Sequence, residues 1–81
     1  MSKSMRNDMI DAVRVSCEGQ LQLHKTNIDI YLNKSVGIGE HSDIIQTIIK
    51  ELEQVAKYEE LLQTLNKHFN KETTHELYEN K

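Results

Sequence analysis

Between Asp43 and Phe69 the apolar residues Ile45, Ile48, Leu52, Val55, Tyr58, Leu62, Leu65 and Phe69 recur in steps of three and four. That spacing lines one face of a long helix. A helix with such a stripe must bury it, and a chain of 81 residues has little else to bury it against. Chains of this size are marginal unless they are stapled or oligomeric. No staple is available: Cys17 is the single cysteine, which rules out an internal disulfide and a zinc site on paired cysteines.

The break before this helix is equally clear. Proline is absent, and two of the three glycines, Gly37 and Gly39, fall together in Ser35-Val36-Gly37-Ile38-Gly39-Glu40-His41. Glycines tolerate positive φ, so this segment is expected to end one helix and reverse the chain. Ser42 or Asp43 is expected to cap the next helix, Asp43 standing in a capping-box spacing with Gln46. Lys67 and His68 suit its negative end.

The first half fits two templates. As a helix, Met9, Val13, Cys17, Leu21, His24, Ile28 and Leu32 form a stripe, flanked by Ile10 and Tyr31. As strands, Val13-Arg14-Val15, Leu21-Gln22-Leu23 and Ile28-Asp29-Ile30 alternate with a period of two. No strong turn signal separates the last two runs, and an uninterrupted helix over about 5–34 is the reading preferred here. With a turn near residue 38, Ile28 meets Ile48, Leu21 meets Val55, Val13 meets Leu62 and His24 faces Leu52, with Cys17 near Tyr58. The expected fold is therefore all-α: helix 5–34, turn 35–42, helix 43–69 and a polar tail 70–81, packed as an antiparallel hairpin.

The stripes are wider than one partner needs. Leu21, Ile28, Ile48, Leu52, Val55 and Leu62 are assigned to the hairpin core. Ile44, Ile49, Ala56 and Tyr58 are assigned to an interface, because a lone hairpin leaves them wet. Two hairpins dimerising into a four-helix bundle satisfy both sets, and a homodimer is the expected partner state. Docking onto another protein is the alternative.

Other functions find little support. The formal charge is -3 with mixed signs, so nucleic acid is not the expected partner. The strongest basic edge is Arg6, Arg14, Lys25 and Lys34, an alternative reading as a weak nucleic-acid-associated regulator. No run reaches the ~20 apolar residues of a membrane span, and the N-terminus lacks the apolar core of a secretory signal. A cytoplasmic protein is expected. His24, His41, His68 and His75 show no i,i+4 pair, so no metal or cofactor is assigned, an interface metal site being the remaining alternative. His24 reads as a polar seam residue that fixes register. Cys17 reads as an inert thiol on the apolar stripe, and the paired Glu59-Glu60 has no pocket to shift its pKa values. No catalytic constellation emerges.

Two segments carry a resemblance. Asn27-Ile28-Asp29-Ile30-Tyr31-Leu32-Asn33, followed by Val36-Gly37-Ile38-Gly39-Glu40-His41-Ser42-Asp43-Ile44-Ile45, resembles small uncharacterised proteins of tailed marine cyanophages. A helix ending in Asn66-Lys67-His68-Phe69 fits the same pattern, so the likeness spans about residues 10–69. Ser35 and Ser42 stand where that family commonly has prolines. The resemblance implies a helical-hairpin protein of phage type, in a host cytoplasm or a virion, with a phage or host protein as the other candidate partner. It implies no enzymatic activity.

Overall fold

The computed structural model describes residues 5–34 and 41–71. Two helices, α1 (Met5–Lys34) and α2 (His41–His68), pack against each other as an antiparallel hairpin. Among the described residues no strand forms. The alternation in the first half is overridden by a helix of 30 residues, about 45 Å long at 1.5 Å per residue. Gly37, Gly39 and the tail beyond residue 71 lie outside the described residues. α2 begins at His41, so Asp43 lies in its first turn rather than at the cap. There its carboxylate still complements the positive helix end.

The main run of buried and half-buried positions follows a seven-residue repeat, with Asp11, Asn27, Thr47 and Gln54 half-buried beside it. On α1 the run is Asn7, Ile10, Arg14, Cys17, Leu21, His24, Ile28 and Tyr31; on α2 it is Ile44, Ile48, Glu51, Val55, Tyr58, Leu62 and Leu65. Alternating steps of three and four hold a seam against a partner over many turns, as in coiled coils. Repeated steps of four do not, because each overshoots a full circle by about 40°.

That overshoot corrects the ends of the expected α1 stripe. Three steps of four lead from Leu21 back to Met9 through Cys17 and Val13, and they wind out of the seam. Met9 and Val13 are accordingly exposed, and Ile10 and Arg14 take their places. Leu32 is displaced by Tyr31 for the same reason.

The hairpin has almost no interior. Ile10, 7% exposed, is the one buried hydrophobic residue among those described. Twelve large hydrophobic side chains are exposed, from Met5 to Phe69. Two helices in contact form a single layer, and a folded domain normally needs two.

Candidate interaction faces and the polar cluster

The middle of the seam is polar. Glu51 sits where the apolar stripe of α2 would place Leu52. His24 Nδ1 lies 2.6 Å from Glu51 Oε1, and Asn27 Nδ2 donates to the same oxygen at 3.2 Å. An ionised carboxylate only accepts, so the short contact places the His24 proton on Nδ1. Both side chains are largely shielded, at 16% and 19% exposure. The two donated hydrogen bonds, from His24 first and Asn27 second, hold the Glu51 carboxyl below its ordinary pKa, against a smaller upward push from burial.

Aromatic contacts extend the cluster. The His24 ring stacks on Tyr58, with centroids 6.1 Å apart and planes 9° from parallel. Lys57 Nζ sits 5.1 Å from the centre of the Tyr58 ring, a cation–π distance. Five residues spread over both helices thus fix one level of the hairpin.

The core and interface residues expected from the sequence divide unevenly. Leu21, Ile28, Ile48, Val55 and Leu62 lie half-buried along the seam. Leu52 does not: it is 50% exposed, because the His24–Asn27 donor pair draws Glu51 into the adjoining position. Ile44 and Tyr58, assigned to an interface, turn inward to the seam. Ile49 and Ala56 remain exposed on the outside of α2. The expected basic edge also comes apart. Arg14 sits on the seam and donates to Asn66 Oδ1, and Arg6 donates to the Asn70 carbonyl at 2.8 Å.

These contacts define two flanks. In an antiparallel pair, corresponding off-seam positions of both helices emerge on the same side. Asn27, His24, Glu51 and Tyr58 meet on one flank; Arg14 and Asn66 meet on the other. Counting from these residues by the seven-residue repeat assigns the charges. The Arg14 flank carries Asp8, Asp11, Glu18, Asp29 and Glu59 against Arg14 and Lys25. The His24 flank carries Arg6, Lys34, Lys50 and Lys57 against Asp43 and Glu51. A chain close to neutral overall has one acidic flank and one basic flank. Sequence reading missed this, because it needs the seam phase and the helix pairing together.

Each flank has its larger apolar patch at one end, with Val15 on the acidic flank and Leu23 and Ile30 on the basic flank exposed outside it. On the acidic flank Leu32, Ile45, Ile49, Leu52 and Ala56 are exposed at the end where α1 finishes and α2 starts. On the basic flank, at the opposite end, Arg6, Met9, Ile10, Val13, Leu65 and Phe69 line an open groove of about 390 Å³. Its floor is held by the Phe69 amide, which donates to the Leu65 carbonyl at 2.8 Å, and by an edge contact between His68 and Phe69. The Lys71–Asp11 ion pair, at 3.0 Å, ties the segment just after α2 to α1.

Among the described residues no group of three His, Cys, Asp or Glu side chains is arranged to hold a metal ion. No described helix is long and apolar enough to cross a membrane. The fold and its seam define an antiparallel helical hairpin with coiled-coil spacing. No protein-family model, curated protein or solved structure matches the chain.

Proposed function

We propose that this hairpin is a non-enzymatic protein–protein interaction module that completes its core with a second copy of itself. One observation carries the reading: among the described residues a single large hydrophobic residue is buried, while twelve are exposed. Scattered exposed leucines are ordinary, but contiguous apolar patches on a small chain mark contact surfaces. The smallest closed unit is two hairpins, a four-helix bundle with two layers. Ile45, Ile49, Leu52 and Ala56 supply the contact from α2; Val13 and Met9 supply it from α1.

The likeness of the 36–45 segment to cyanophage proteins supports a phage setting, as a virion part or a host-directed adaptor in the cytoplasm. Sedimentation equilibrium at micromolar concentration tests the central statement. The expected mass is at least twice that of the 9.4 kDa chain. A single-chain mass with full helicity overturns it.

A further inference from the structure

We infer that the second copy docks head to tail, the acidic flank of one hairpin on the basic flank of the next. The inference rests on the self-association proposed above and adds which surfaces meet. Charge excludes the symmetric alternatives. Acidic flank on acidic flank sets Asp8, Glu18 and Glu59 against their own copies when the hairpins run parallel, and against the apolar patch of Ile45, Ile49 and Leu52 when they run antiparallel. Basic flank on basic flank does the same with Lys34 and Lys50, the groove taking the place of the patch. Like charges brought together across an interface cost affinity, as do charges covered by an apolar surface, and both reject that pairing.

The apolar ends then choose the direction. On the acidic flank the apolar patch of Ile45, Ile49 and Leu52 lies at the Lys34–His41 end with Asp29 beside it, and the anions Asp8, Asp11, Glu18 and Glu59 lie towards the other. On the basic flank the order is reversed. The groove of Met9, Val13 and Leu65 lies at the Met5 end, and Lys34 and Lys50 lie at the far end. Stacking two hairpins with their long axes antiparallel sets patch on groove and anions on lysines at once. A parallel stack sets the patch on lysines and the anions on the groove.

Such a contact is heterologous. Each added copy leaves one acidic and one basic flank unoccupied, so association continues past the dimer unless the stack closes. This differs from an isologous bundle, which stops at two. It also makes association sensitive to salt, since the facing charges are exposed and screened by ions.

Charge reversal on one flank at a time tests it. K50E/K57E makes the basic flank acidic, and E18K/E59K makes the acidic flank basic; all four residues are exposed. Each variant alone is expected to sediment as a single chain at a concentration where the unaltered protein associates. An equimolar mixture is expected to regain association, because every contact then joins opposite charges, and that recovery shows that both variants fold. If either variant alone associates like the unaltered protein, the contact is isologous through its untouched flank and the head-to-tail inference fails. It fails equally if the mixture stays monomeric. A monomeric, helical unaltered protein instead removes the self-association reading itself; were that monomer to bind a duplex oligonucleotide with steep salt dependence, the basic flank would be a phosphate-binding surface.

Discussion

His24 and Glu51 face each other across the seam at 2.6 Å, and this contact sets which residues of α2 point inward. With Glu51 at the seam, its neighbour Leu52 is turned out to solvent. The polar pair therefore acts on register as well as on stability, a recognised use of polar residues at coiled-coil core positions.

Removing one partner is expected to hurt more than removing both. His24→Leu leaves the Glu51 carboxylate in a shielded place without its main donor, and thermal unfolding should shift to lower temperature. His24→Leu combined with Glu51→Leu replaces the pair by apolar side chains and should recover most or all of that loss. A double variant no more stable than His24→Leu would show that the pair is not coupled.

The pH dependence follows from the depressed Glu51 pKa. A carboxyl whose pKa is lower folded than unfolded favours the fold while it is ionised. That contribution is fully present above the ordinary carboxylate range, near pH 4.5. It declines as pH falls through that value towards the lower folded pKa. Denaturation midpoints followed down from pH 6 should fall more steeply for the unaltered chain than for Glu51→Gln. Parallel curves would contradict this role.

Gly19 lies inside α1 with no packing reason visible in the hairpin. A Cβ built there meets nothing within 4 Å. Gly19→Ala should stabilise the helix by about 1 kcal/mol, the cost of glycine in a helix interior. Urea unfolding measures it. A loss of stability would place another surface against Gly19, which the head-to-tail stack does not.

Ile10 and Leu52 separate seam from surface. Ile10→Ala removes the one buried hydrophobic side chain among the described residues and should cost about 2–4 kcal/mol. Leu52→Asp places a charge on an exposed patch, so its effect should fall on association. Its helicity should recover as protein concentration rises. Equal effects at every concentration would return Leu52 to the core.

The hairpin itself was readable because long periodic stripes and the Gly37–Gly39 break agree with one another. The residues at the seam were only partly readable, for two physical reasons. Apolar candidates sit side by side, Met9 with Ile10 and Ile44 with Ile45, and only the drift of four-residue steps over a long helix decides between them. At Glu51 hydrophobicity points the wrong way, because two donors on α1 outweigh the apolar neighbour. The segregation of charge onto opposite flanks is invisible until that phase is known.

The most direct test of the whole account is helical circular dichroism followed through a dilution series alongside the sedimenting mass. A hairpin that lacks an interior of its own should lose helicity as it dissociates, the two curves falling together. A chain that keeps its helical signal unchanged after it has become monomeric would contradict the account.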